Sequence, residues 1–248
     1  MLSPSGRGNM APERRIFPDA RRIAIVPNIR NPPEQFAPHS DIHIVCVAQA
    51  MDFIRVSRPV SLALLGGRGH YEAVVQAVMN AEQSVWIATA NLKELMVEDA
   101  GVRPGRRRTA RGGEYRSVLR VFDELVVAGV EIRILHAAPP SLPFRQELRR
   151  CAHLKASSSR RGSFELRLCP RVHCKIVVVD GTIVYLGSAN WTGAGLGAKG
   201  EGRRNFELGL LSRDDLLLDE VQAFFDAIWR GQPCTDCKRR DVCPQPLG

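Results

Sequence analysis

The stretch RVHCKIVVVDGTIVYLGSANWTGAG, Arg171 to Gly195, decides the reading of this chain. Two apolar, β-branched runs flank Asp180-Gly181, a pair that turns a chain back on itself in two residues. With those two as the loop, Val179 faces Thr182 and His173 falls opposite Ser188. Side chains two apart in a strand share a face, which would put His173, Lys175 and Ser188 together, Asn190 just beyond them, and Cys174 on the other side. Asp180 is seven residues from His173, roughly 23 Å at ~3.3 Å per residue. It is too far to orient that ring and is expected to serve the turn through Asx-type bonds to backbone.

Outward from the hairpin the periodicity is helix then strand, twice. YEAVVQAVMNAEQ (71–83) has Tyr71, Val74, Val75 and Val78 at helical spacing, followed by the apolar run SVWIATANL (84–92). YRSVLRVFDELVVAGV (115–130) places Tyr115, Val118, Leu119, Phe122, Leu125 and Val126 on one face, and EIRILHA (131–137) follows as a strand. DDLLLDEVQAFFDAIWRG (214–231) is an amphipathic helix with Asp at its start. The expected class is α/β, a mixed and mostly buried sheet flanked by helices.

With 248 residues and 44% apolar content, the chain has material for one substantial core. Residues 1–60 are read as an N-terminal extension, partly disordered: NIRNPPEQFAPHS is Pro-rich and aperiodic, and DIHIVCVAQAMDFIRV (41–56) is ambiguous between strand and helix. Met51 is a plausible alternative start. Residues 61–231 form the expected catalytic domain and 232–248 a cysteine-bearing tail. The absence of an apolar leader or a long apolar run argues against a Sec signal and a membrane span. Seven cysteines without framework spacing fit a reducing cytoplasm.

The net charge of +9 favors anionic partners. GVRPGRRRTARGG (101–113) carries five arginines; Arg106, Arg107, Arg108 and Arg111 are candidates to track a phosphate backbone, or simply a solvated loop. Arg203 and Arg204 would extend the rim. Trp191 could stack a base or pack in the core.

Lys175 offers a point charge for a phosphate oxygen, Asn190 amide donors, and His173 a nucleophile or proton carrier. Clustered carboxylates of a two-metal site are missing from the motif. The set His173, Lys175, Asp180, Gly187, Ser188 and Asn190 resembles the signature of the phospholipase D superfamily at every spacing, over about Leu62 to Gly231. The resemblance implies an α/β/α sandwich and metal-independent phosphodiester chemistry. One histidine attacks phosphorus to form a phosphohistidine, and a second protonates the leaving oxygen. It further implies that Glu207, in RRNFELGLL, bonds the histidine ring, and that a chain with one motif works as a homodimer. The only other His-x-Lys, at His153, lacks the strand, the Asp and the Gly-Ser-x-Asn and is read as coincidence. Together with the basic balance this points to an endonuclease. A phospholipase or transphosphatidylase and a non-catalytic nucleic-acid-binding module are the alternatives; membrane association is not expected.

In the tail, Cys234, Cys237 and Cys243 are closely spaced in a polar segment without a core of its own, which suggests structural metal ligation, zinc or iron–sulfur. The spacing is similar to the C-terminal iron–sulfur staple of RecB-type nucleases. Three free thiols is the bland alternative. A fourth ligand would come from Cys46, Cys151, Cys169 or a histidine. Cys174, inside the hairpin, is read as a packed cysteine.

Overall fold

A computed structural model describes residues 51–98, 115–155 and 162–247. The arginine-rich loop, residues 1–50 and the ambiguous run over 41–50 lie outside them.

The apolar runs of the sequence become the middle of a seven-stranded sheet. In chain order the strands are β1 (Ala63–Gly66), β2 (Ser84–Thr89), β5 (Glu131–His136), β6 (Ser163–Leu168), β7 (Ile176–Val179), β8 (Ile183–Gly187) and β9 (Leu208–Ser212). They lie side by side as β1-β9-β8-β7-β2-β5-β6. β2, β5 and β6 are parallel, and the other neighbors are antiparallel. A short antiparallel pair, β3 (Met96–Glu98) and β4 (Tyr115–Ser117), stands apart.

The alternation of side chains along each central strand splits the core in two. Val85, Ile87, Ile132, Ile134, Val177, Val179 and Tyr185 face one helical layer. That layer holds a π-helical turn, Tyr71–Val75, running into α1 (Gln76–Met79), then α2 (Val118–Ala128) and α3 (Leu142–Leu148). Trp86, Ala88, Leu135, Ile176, Val178 and Val184 face α4 (Asp215–Trp229), which packs Leu218, Val221, Phe225 and Trp229 against them. The result is an α/β/α sandwich whose central strands are apolar on both faces, as a sheet covered on both sides requires.

Local signals set the helix ends. Ser117 accepts from Leu119 N, Ser141 from Phe144 N, and Asp214 from Leu217 N, each relieving one unpaired donor of the first turn. Tyr115 departs from the expectation: it stands in β4 and is 54% exposed, because the Ser117 cap starts α2 two residues later.

The hairpin register also differs from expectation. Asp180 and Gly181 both have positive φ, 53° and 59°, and Thr182 N bonds Val179 O at 3.0 Å. The tight turn is there, but Val179 pairs with Ile183 rather than Thr182, so Thr182 is an extra, bulged residue. Every partner moves by one. Gly187 N bonds Lys175 O at 3.2 Å, and the register, continued outward, sets Ala189 rather than Ser188 opposite His173.

Candidate active site

The parallel strands β2, β5 and β6 end at Thr89, His136 and Leu168, and the segment entering β7 starts from that same edge. In layered α/β folds this carboxyl edge is where ligands meet the chain. His173 is exposed there and Lys175 is half-buried. The Lys175 ammonium donates to the His173 carbonyl at 2.7 Å and stands 3.3 Å and 3.5 Å from the two ring nitrogens.

Asn190 is held from the opposite side by β2. Its Oδ1 accepts from Asn91 N at 3.0 Å and lies 3.2 Å from the Thr89 hydroxyl. Those contacts orient the carboxamide and leave its NH2 as the donor end. Thr89 is 1% exposed and also receives Trp191 N at 2.9 Å, so one hydroxyl ties both Asn190 and Trp191 to the sheet. Sequence reading missed Thr89 and Asn91. Their signal was the change from apolar to polar at the end of SVWIATAN, where a strand reaches an open edge.

Ser188 and Glu207 form a third group. The Ser188 hydroxyl donates to the Glu207 carboxylate, Ser188 N bonds Leu208 O at 3.0 Å, and Leu208 N donates to Ser188 Oγ at 3.1 Å. The second Glu207 oxygen accepts from Asn205 Nδ2 at 3.1 Å. Among the described contacts, the His173 ring meets Lys175 and not Glu207. The expected Glu207–histidine bond is thus replaced by a Glu207–serine bond, a consequence of the register that turns Ser188 toward β9.

Two motif residues have structural tasks. Asp180 accepts from the backbone N–H groups of Glu82, Gln83 and Ser84, with distances from 2.7 to 3.2 Å. It anchors the start of β2 across the sheet rather than its own turn. Gly187 pairs with Gly209, and the Tyr185 ring lies across both. A Cβ at Gly187 would meet Tyr185 Oη at 2.3 Å, and one at Gly209 would meet Tyr185 Cε2 at 2.2 Å.

The base-stacking reading of Trp191 is overturned. The ring is 1% exposed and stacks on Phe122 with centroids 6.0 Å apart, so no face is open to a base. Arg203 is exposed in a short turn and Arg204 bonds Lys199 O at 2.7 Å, both just before Glu207. Arg106, Arg107, Arg108 and Arg111 lie outside the described residues. His153 is held by Asp123, whose Oδ2 is 3.1 Å from Nδ1. Cys174 is half-buried against the α4-side core, and burial raises its thiol pKa.

Beneath the edge lies His70, which the sequence did not single out. It is fully buried, edge-on to Tyr185 at 5.6 Å, with Nδ1 3.3 Å from Gly67 O and Nε2 without a partner among the described residues. Burial lowers its pKa, opposed by the Gly67 carbonyl and by the charge of Glu207.

A histidine, an ammonium group and an oriented amide thus share the open edge of the central sheet of a three-layer sandwich. The family model described as "Cardiolipin synthase, PLD-like domain" matches residues 74–229, more than half of the chain, and the chain belongs to this phospholipase-D-like family. The superfamily comprises phosphodiesterase-type hydrolases and transferases. No curated protein matches the sequence. Among solved structures, Nuc from Salmonella typhimurium, a phospholipase D family member, is 14% identical, covering 68% of this chain and 95% of that one with a TM-score of 0.46. NucT from Helicobacter pylori is 14% identical, covering 69% and 96%, TM-score 0.43. Phosphatidylserine synthase of Haemophilus influenzae Rd KW20 is 18% identical, covering 71% of this chain but 40% of that one, TM-score 0.44. No helix among the described residues is long and apolar enough to cross a membrane.

Proposed function

We propose that the chain is a metal-independent phosphodiesterase acting on nucleic acid, an endonuclease, with a site completed by a second copy of itself. The observation that carries this reading is the placement of the exposed His173 ring beside the Lys175 ammonium, with the Asn190 amide on the same edge. That is a nucleophile with two phosphate-oxygen ligands but no partner acid.

In the proposed cycle a His173 ring nitrogen attacks phosphorus, and the P–O bond to the leaving strand breaks. The copy of His173 in the second protomer, protonated, gives its proton to the leaving oxygen. The same residue then takes a proton from water, which attacks the phosphohistidine and frees His173. Lys175 and Asn190 neutralize and orient the non-bridging oxygens, while Ser188 and Glu207 shape the adjoining wall. General acid assistance of this kind contributes roughly 10²–10⁴-fold. The symmetric pairing requires an isologous interface. Phe206, Leu208 and Leu210 are exposed beside Ser188, with Leu64 paired to Leu210, an apolar surface of the kind such an interface buries. The +9 charge and the arginines at 203–204 favor a polyanion over a neutral lipid surface.

The test is incubation with plasmid, single-stranded DNA, RNA and phosphatidylcholine vesicles in EDTA. Nicking that persists in EDTA and disappears in His173→Ala is expected. When wild type is mixed with excess His173→Ala and allowed to exchange subunits, activity should fall as the square of the wild-type fraction. Headgroup release without nicking would overturn the nuclease in favor of a lipid enzyme, and binding without turnover in favor of a binding module. A fully active monomer would overturn the shared site.

A further inference from the structure

The tail after α4 has no core. Residues 232–247 contain two 3₁₀ turns, Gln232–Cys234 and Arg240–Val242, and none of them is buried. Yet the segment follows a defined path along the carboxyl edge of the sheet. Its turns close in succession: Cys237 N bonds Cys234 O at 3.3 Å, Arg240 N bonds Cys237 O at 3.0 Å, and Cys243 N bonds Arg240 O at 3.2 Å. Gln245 Oε1 then accepts from Leu168 N at 2.8 Å, docking the tail end on β6.

The turns lead to one place. Cys234, Cys237 and Cys243 line a small cleft of about 20 Å³ whose remaining wall is Cys169, Pro170 and Arg171 from the loop between β6 and β7, with Arg239, Arg240 and Pro246 around it. The fourth cysteine comes from more than sixty residues upstream. Cys151, the other described candidate, is fully buried with its Sγ on Leu119 O, 3.6 Å away, and is not in the cleft. Four thiols from two segments, each half-exposed, around a common space are hard to account for by packing; a buried cysteine packs as Cys151 does.

We propose that Cys169, Cys234, Cys237 and Cys243 form a four-thiolate site for a soft metal center, a zinc ion or an iron–sulfur cluster, which staples the tail to the loop that carries His173. The thiols border the space without converging on a single point among the described residues. Metal binding therefore requires the thiols to turn inward, or to be spread around the irons of a cluster. The backbone already brings all four residues to the shared wall of the cleft. Electrostatics support the site. Three arginines on the cleft offset the net negative charge that four thiolates leave on a divalent center.

The site reaches the chemistry through one short turn. Val172 N bonds Cys169 O at 2.9 Å, and His173 is the next residue. A metal on Cys169 would fix the base of the segment from which His173 projects, while taking no part in phosphoryl transfer.

The experiment uses the full chain purified anaerobically, and again after separate reconstitution with zinc alone and with ferrous iron plus sulfide. About one zinc, or about four irons with matching sulfide and absorbance near ~400 nm, is expected per chain. Alkylation and peptide mapping of the wild type should show Cys169, Cys234, Cys237 and Cys243 protected together in the loaded protein and released together on stripping the metal. Cys169→Ser and Cys243→Ser should each lower metal content at least tenfold, with Cys151→Ser unaffected. Limited proteolysis should then cut the tail in the stripped protein first. Fewer than about 0.1 metal per chain under all three preparations, or protection of the tail cysteines without Cys169, would overturn the proposal. These readouts do not depend on the substrate or on turnover.

Discussion

Asp180 belongs to the motif by spelling, and its placement predicts that it acts on stability rather than chemistry. Its carboxylate takes three backbone N–H groups at 82–84, its φ is +53°, and it lies at the far end of the hairpin from His173. Replacing it with Ala removes the acceptor. The donors at 82 and 83 are open to water and re-solvate, so the main loss is the part-buried bond to Ser84 N, about 2 kcal/mol for a charged acceptor. Ala also tolerates the left-handed conformation less well than Asp, adding about 1 kcal/mol. The sum, about 3 kcal/mol, corresponds to a Tm drop of about 6–12 °C for a domain of this size. Asp180→Asn keeps the left-handed tolerance and one acceptor oxygen and should lose about 1 kcal/mol, or 2–4 °C. Thermal unfolding by circular dichroism reads the first quantity. Phosphodiester cleavage per folded molecule, well below Tm, reads the second and should stay within about twofold of wild type in both variants. A folded Asp180→Asn protein without activity, or an Asp180→Ala protein whose Tm moves by less than ~2 °C, would refute the reasoning.

Gly187→Ala should cost about 1–3 kcal/mol through collision with Tyr185, and a double-mutant cycle with Tyr185→Leu, read by urea unfolding, should return a coupling of at least ~1 kcal/mol. Trp191→Ala should destabilize by about 3–5 kcal/mol, whereas Trp191→Phe should leave nucleic-acid affinity, measured by fluorescence anisotropy, unchanged; a large affinity loss in a stable Trp191→Phe would restore a binding role. Burial holds His70 and His136 below the ordinary 6.5, so the unfolded chain takes up protons that the folded one refuses. Stability should therefore fall as pH drops below about 6.5, and His70→Gln should flatten that part of a Tm-against-pH curve. The Arg58 side chain, helped by the Leu217 N–H, holds Asp214, the cap of α4, down at about 2; this contribution is present above the ordinary 3.8 and lost as pH falls from there toward 2, and Arg58→Ala should shrink that acid limb, leaving the part due to Leu217.

The hairpin, the helix–strand alternation and the candidate residues at the hairpin's open end were legible because each is a local statement. A β-branched run, a turn pair and a cap act over a few residues, and the ends of an apolar strand mark where polar groups can be open to a ligand. What local rules could not give was the one-residue bulge at Thr182. Both pairings bury the same kind of side chain, and the observed one goes with Asp180 reaching across to β2 and with Tyr185 lying over two glycines. That single step moved Ser188 from His173 to Glu207. Trp191 is a core residue for the same kind of reason: Thr89, a hundred residues earlier, holds its backbone and Phe122 covers its ring. The sequence showed three cysteines in search of a fourth ligand. Only the sheet, by ending β6 at Leu168 beside the returning tail, brought Cys169 to them, because contacts between distant segments follow from the packing of layers and not from spacing along the chain.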